Sequence, residues 1–133
     1  MNYKNLNVLS LAYIGDAVYE IYVRKYLLKS NIIKVKQLQE VAINFVSAKK
    51  QAEILKKMLE QNFFNEEEIR IIARARNHKG NRHPKNTDII TYKYSTGLEA
   101  VIGYLYLEEN IFRLNEVMNY ILEGLQCIYM EKM

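Results

Sequence analysis

Two carboxylates occupy positions where a helix of a globular protein normally carries apolar side chains. Asp16 lies on an apolar stripe of a predicted helix, in register with Tyr19 and Val23. Glu99 is the only charged residue in the apolar run 98–107. Because burial of an unpaired carboxylate is costly, each acid needs a cation, a hydrogen-bond donor or a metal. If the fold brings them together, two oxygen ligands suit Mg²⁺, which proteins often hold through one or two carboxylates, water and substrate phosphates.

Structural roles for the two acids stay open at this point. Each acid could form an ion pair, or its helix could be partly exposed. The cations available for such pairs are Arg24, Lys25 and Lys93. The functional interpretation gains weight because small residues flank both acids, Gly15 beside Asp16 and Ala100 beside Glu99. Small neighbours allow another helix or a ligand to approach closely.

A second candidate site is a basic segment at residues 74–86 (RARNHKGNRHPKN), which carries five cations and no acid. The five are Arg74, Arg76, Lys79, Arg82 and Lys85. The whole chain has a net charge of +4, so its basicity is concentrated here. A solvated charge run is the ordinary alternative. A positive loop can also follow a phosphate backbone, and the lack of an aromatic residue within it favours backbone contact over base stacking.

Other catalytic chemistries have weaker support in the sequence. Cys127 lies in an apolar helical pattern without a neighbouring histidine, which predicts a buried thiol in the core. His78 and His83 lack the accompanying ligands and spacing of a zinc site. The sequence contains no phosphate-binding glycine loop and no nucleophile elbow.

The elements that must position these residues are predicted to be helices. The chain of 133 residues contains one proline and five scattered glycines, which fits long helices and one domain. Ser47 can cap one helix, and Asn65 with Glu68 can cap another. The predicted helices cover about residues 9–29, 35–46, 47–61, 66–78, 92–108 and 111–131, with a loop at 79–91. The fold class is therefore all-α, with about six helices.

The first predicted helix is apolar nearly all round. One stripe comprises residues 11, 14, 18, 21 and 28, and the other comprises residues 12, 19, 23 and 27. We expect the surplus apolar surface to form a two-fold homodimer interface. Substitution of an apolar residue of this helix by aspartate should disrupt that interface. Val23 is one such residue, unless it faces the subunit's own core, in which case a neighbouring position is the one to change. Charged residues interrupt the first 30 positions, so neither a signal peptide nor a membrane span is expected. The single cysteine favours a reducing, cytoplasmic location.

Two segments resemble known motifs. Residues 9–28 (LSLAYIGDAVYEIYVRKYLL) resemble the signature helix of the ribonuclease III catalytic domain, with Asp16 at its centre. Residues 92–107 (YKYSTGLEAVIGYLYL) resemble that domain's second acidic motif, with Glu99 at the metal-binding position. Between them, VSAKKQAEIL, ARNHK and PKNTD are similar to the compact bacterial subgroup, Mini-ribonuclease III.

The sequence departs from the full-size members at three positions. Those enzymes carry further acids where this chain has Leu9, Ala12 and Thr96. Two acids per subunit therefore remain, as in the compact subgroup. The chain also ends about where the catalytic domain ends, so residues 1–133 are expected to form that domain without a double-stranded-RNA-binding domain.

The resemblance implies an Mg²⁺-dependent endoribonuclease that cleaves double-stranded RNA and leaves 5′-phosphate ends. Asp16 and Glu99 would hold the metal and act in catalysis, and the basic segment would bind RNA. The resemblance further implies a homodimer with one active site per strand and a role in maturation of precursor 23S ribosomal RNA. The alternative is a non-catalytic RNA-binding or ribosome-assembly protein on the same fold.

Overall fold

The computed structural model describes residues 2–29, 35–79, 85 and 87–131, and over these ranges it is helical with no strand. Within these ranges, a 3₁₀ turn at Tyr3–Asn5 precedes six helices. These are α1 (Val8–Lys29), α2 (Val35–Val46), α3 (Ala48–Glu60), α4 (Glu66–Arg76), α5 (Ile89–Leu107) and α6 (Ile111–Glu131). The predicted all-α class is confirmed. No helix within the described ranges is long and apolar enough to cross a membrane.

Local capping explains where several helices begin. The Ser47 hydroxyl accepts a hydrogen bond from the Lys50 amide in the first turn of α3 at 3.3 Å. At the start of α4, the Asn65 side chain accepts from the Glu68 amide at 2.9 Å, and the Glu68 carboxylate accepts from the Asn65 amide at 3.0 Å. This reciprocal arrangement satisfies two amides that the helix itself leaves without partners. Both predicted caps are confirmed.

The predicted start of α5 at residue 92 is wrong by three positions. The Asp88 side chain accepts from the Thr91 amide at 2.8 Å and caps a helix that begins at Ile89. The predicted loop at 79–91 is correspondingly shorter, and residues 80–84 and 86 lie outside the described ranges. Helix α4 also ends at Arg76, two residues before its predicted end.

Helix α5 is the centre of the domain and packs against α1, α3, α4 and α6. Its side chains from Ser95 to Leu105 are buried except for Glu99, which is half-buried. An α-helix surrounded on most sides must be apolar nearly all round. The apolar run of this segment therefore reflects its central position.

Val23, the residue suggested for the dimer test, is fully buried in the core of the domain, as is Tyr19. The second α1 stripe is therefore covered within the domain, whereas the first is buried at residues 11 and 18 and half-buried at residue 14. The apolar residues of α1 that remain well exposed are Tyr13, Ile21 and Leu28. Cys127, predicted as a core thiol, is exposed.

Candidate active site

Two glycines allow α1 and α5 to cross with their backbones in contact. A Cβ atom on Gly15 would lie 1.7 Å from the carbonyl oxygen of Glu99, and one on Gly103 would lie 1.9 Å from that of Leu11. No side chain fits at either position. Because Asp16 follows Gly15 and Glu99 forms the other side of this contact, the crossing brings together two acids that are far apart in the sequence.

The Asp16 and Glu99 carboxyl groups interact directly. Burial, followed by the hydrogen bond and the negative charge of Asp16, raises the pKa of Glu99 to about 9. A hydrogen bond from Gln51 acts in the opposite direction and lowers that pKa. At neutral pH the Asp16–Glu99 pair therefore retains a proton, because two adjacent negative charges repel each other. A bound divalent cation would remove that repulsion and displace the proton.

The pair has no neutralising partner in the part of the chain that the structure describes. No lysine, arginine or histidine there lies within 4.0 Å of either carboxylate. Arg24, one of the possible ion-pair partners, binds Glu20 instead at 2.6 Å. Asp16 is exposed and Glu99 is half-buried, so solvent reaches the pair. Two reachable oxygen donors without a competing cation fit a partly hydrated Mg²⁺ ion.

Two buried polar residues surround Glu99. Gln51 on α3 is 2% exposed and hydrogen-bonds to the Glu99 carboxyl group. Tyr19 on α1 is fully buried and donates a hydrogen bond to the Phe45 carbonyl at 2.9 Å. Burial and the charge of Glu99 raise the pKa of Tyr19 far above its usual range, so its hydroxyl stays protonated.

The sequence analysis missed Gln51, although a signal for it exists. Gln51, Leu55 and Met58 follow one helical face, and all three are buried. A glutamine in the apolar register of an amphipathic helix needs a polar partner inside the fold. That partner is Glu99.

The three positions where full-size enzymes carry further acids supply no carboxylate here. Ala12 is buried, Leu9 is partly exposed, and the buried Thr96 hydroxyl donates to the Tyr92 carbonyl at 2.9 Å. Within the described ranges, no cluster of three or more acidic, histidine or cysteine residues could hold a metal ion. Asp16 and Glu99 are the two acids that the crossing of α1 and α5 brings together.

The basic segment begins inside α4, and its residues have different environments. Arg74 is tied to the amino-terminal segment, where it donates to the carbonyls of Lys4 and Leu6. Arg76 stacks on Tyr94 of α5. Lys79 and Lys85 are exposed. Arg82 lies outside the described residues.

The comparisons with known proteins agree with this geometry. The family model of the ribonuclease III domain matches residues 9–110. Mini-ribonuclease 3 of Staphylococcus aureus is 45% identical over 119 residues, which are 90% of this chain and 89% of that protein. The Enterococcus faecalis protein of the same name is 44% identical over 119 residues and 90% of each chain.

A solved structure supports the same fold. The crystal structure of protein FN1578 from Fusobacterium nucleatum matches with a TM-score of 0.79 at 33% sequence identity. The match covers 90% of this chain and 94% of that one. The resemblance to Mini-ribonuclease III is confirmed, and the chain belongs to the ribonuclease III domain family.

Proposed function

We propose that this protein is an Mg²⁺-dependent endoribonuclease that cleaves both strands of double-stranded RNA. The observation that carries the proposal is the Asp16–Glu99 pair, which lies at the Gly15 crossing without a neutralising cation in the described part of the chain. Two adjacent carboxylates repel each other, and a bound cation would neutralise that repulsion. Cation binding therefore accounts for their proximity. Membership of the ribonuclease III domain family identifies RNA as the substrate class.

Asp16 and Glu99 would hold the metal, with Gln51 orienting Glu99. When bound, Mg²⁺ supplies a Lewis acid that polarises the scissile phosphate and assists deprotonation of the attacking water. The side chains of this protein would hold the metal in position for that chemistry. The resemblance supports attack that leaves a 5′-phosphate and a 3′-hydroxyl.

Residues of the basic segment would bind the phosphate backbone of the duplex. Lys79 and Lys85 are exposed, and Arg74, Arg76 and Arg82 complete the proposed RNA-binding set. Contacts of this kind recognise the shape of a duplex with little dependence on sequence. They would take over part of the task of a separate RNA-binding domain within this single catalytic domain.

A two-fold homodimer would place one active site on each strand. The exposed apolar residues Tyr13, Ile21 and Leu28 lie on α1, the helix that also carries Asp16. Burial of these side chains against their own copies would stabilise a symmetric interface. Because Val23 is in the core, the informative substitution is Ile21→Asp, which should shift sedimentation toward the monomer and reduce cleavage without unfolding the subunit.

The natural substrate proposed from the resemblance is precursor 23S ribosomal RNA, processed in the cytoplasm. The single cysteine is consistent with a reducing compartment, since no intrachain disulfide is possible.

The direct test is incubation of the purified protein with a long RNA duplex, with and without Mg²⁺, followed by analysis of the product ends. The proposal expects cleavage of both strands that requires a divalent metal and leaves 5′-phosphates. Binding of the duplex without cleavage in any divalent metal would favour a non-catalytic RNA-binding or ribosome-assembly role.

A further inference from the structure

Two cations converge on one tyrosine ring where three helices meet. The guanidinium carbon of Arg76 on α4 lies 4.0 Å from the centroid of the Tyr94 ring on α5, and Lys56 Nζ on α3 lies 4.8 Å from it. Arg76 also donates to the Tyr94 hydroxyl at 3.0 Å. We call Lys56, Arg76 and Tyr94 the Tyr94 cluster.

The Tyr94 cluster has an excess of positive charge. In the described part of the chain, no carboxylate lies within 4.0 Å of Arg76 or Lys56, whereas Arg113 pairs with Glu68 at 2.8 Å. The π face of Tyr94 attracts both cations but supplies no net negative charge. Two neighbouring cations therefore remain available to an anion from outside the subunit.

The surroundings prepare Arg76 to bind that anion. Its stem lies against the backbone of α5, since a Cβ atom on Gly97 would be only 3.2 Å from the Arg76 Cγ atom. The contact with the Tyr94 ring and the hydrogen bond to its hydroxyl hold the guanidinium group in place. A guanidinium group has five N–H donors, so others remain for an anion. A side chain that is already ordered loses less conformational entropy when it binds a phosphate. Lys56 is exposed, so a phosphate can reach the cluster from solvent.

The position of the cluster connects it with the candidate active site. Tyr94 precedes Glu99 by five residues on α5, which corresponds to about 7.5 Å along the helix axis and about 140° around it. The cluster therefore lies on a different face of α5 from Glu99, at a distance that a bound duplex can span. Arg76 is the last residue of α4, at the entry to the remainder of the basic segment. We infer that the Tyr94 cluster binds a backbone phosphate of the RNA duplex near the cleavage site, an inference that rests on the proposed function.

The test measures how duplex binding depends on salt in the Glu99→Gln background, where RNA should stay intact. Lys56→Ala should lower the slope of log affinity against log salt by about 0.7–0.9 for one lost phosphate contact. Lys57→Ala is the matched control, because Lys57 is also exposed on α3 but does not contact the ring. An unchanged slope in Lys56→Ala, or equal losses in both variants, would overturn the inference.

A second pair of variants tests the role of the ring. Tyr94→Phe keeps the stacking surface and should bind the duplex almost as the parent does. Tyr94→Leu keeps both cations but should bind several-fold more weakly, because Arg76 loses its orientation. Equal affinity of the Leu and Phe variants would contradict the orienting role. Circular dichroism confirms that each variant is folded.

Three further results distinguish RNA from free phosphate as the bound anion, and failure of the cluster assignment from failure of the proposed function. If NMR shows inorganic phosphate at the cluster while the duplex slope is unchanged in Lys56→Ala, the assignment to RNA is wrong. If the wild-type protein cleaves duplex RNA but the Lys56→Ala slope equals that of the parent, only the cluster assignment fails. If the parent does not bind duplex RNA, the proposed function fails as well.

Discussion

Glu68 is buried and Glu99 is half-buried, but their carboxyl groups have different partners. Glu68 on α4 is 1% exposed and forms a two-pronged ion pair with Arg113, with nitrogen–oxygen distances of 2.8 and 2.9 Å. Arg113 also donates to the Phe63 carbonyl at 2.9 Å. Glu99 on α5 instead faces Asp16, a second acid.

The difference shows that the partner of an acid indicates its role better than the extent of its burial does. The Glu68–Arg113 pair is complete within the subunit, joins α4 to α6 and needs no ligand. The Asp16–Glu99 pair holds a proton where a cation could bind. The first pair is therefore expected to determine stability, and the second to determine activity.

The largest expected effect is loss of cleavage when the acidic pair is altered. Asp16→Asn and Glu99→Gln should each reduce the rate of duplex cleavage by at least about 1,000-fold, because each removes a ligand from a metal that stabilises the transition state by several kcal/mol. Both variants should fold and still bind duplex RNA. The matched control is Glu20→Gln, an exposed acid one turn after Asp16 that should leave the rate unchanged. Near-normal cleavage by either pair variant would falsify the assignment.

Breaking the complete pair should instead lower stability. Arg113→Met leaves the buried Glu68 carboxylate without its cation, and the free energy of unfolding should fall by about 3 kcal/mol. Urea denaturation measures this change, and the double variant Glu68→Gln/Arg113→Met should recover part of it. Glu116→Gln removes only an exposed contact at 3.4 Å and serves as the control. A loss of cleavage in a folded Arg113→Met protein would contradict the assignment of stability to the Glu68–Arg113 pair and of activity to the Asp16–Glu99 pair.

A smaller effect is expected at Gln51, which supports one member of the acidic pair. Gln51→Leu keeps the volume of the buried side chain but removes the hydrogen bond to Glu99. Loss of a group that orients a metal ligand typically weakens metal affinity or activity about 10- to 100-fold. The Mg²⁺ concentration for half-maximal cleavage should rise accordingly, and Gln51→Asn should recover part of the loss. If the Mg²⁺ dependence of Gln51→Leu is unchanged, Gln51 packs in the core and does not orient Glu99.

The smallest expected effect concerns pH and stability without metal. The pKa of Glu99 is raised in the folded protein, so the folded state binds more protons than the unfolded state between about pH 4.5 and 9. Stability should therefore fall as pH rises through this window. Glu99→Gln removes this dependence and should be more stable than wild type at pH 8, with the difference decreasing toward pH 4. Thermal unfolding of both proteins at pH 4 and pH 8 tests this prediction. An equal difference in stability between Glu99→Gln and wild type at the two pH values would contradict it.

The sequence predicted the helices well because periodicity and capping residues are local features. Asn65 and Glu68 marked the start of α4 correctly, whereas Asp88 was not recognised as the cap of α5. Which apolar stripe of α1 faces the core depends on neighbouring helices, so the sequence alone did not decide between the core and an interface for Val23. The exposure of Cys127 was missed for the same reason.

The candidate site could be predicted in part. Residue type and register identified Asp16 and Glu99, and the flanking glycine suggested a close approach. Their contact depends on how α1 crosses α5, which no local pattern specifies. The stacking of Arg76 on Tyr94 likewise depends on the packing of α4 against α5.

The most direct measurement of the central claim is a pH titration of the Glu99 side-chain carboxyl by carbon NMR, with and without Mg²⁺. The account predicts an apparent pKa of Glu99 near 9 without metal. It also predicts a shift to lower pH when Mg²⁺ is added, and no such shift in Asp16→Asn. An ordinary pKa of Glu99 that Mg²⁺ leaves unchanged would contradict the claim that the acidic pair is a cation site.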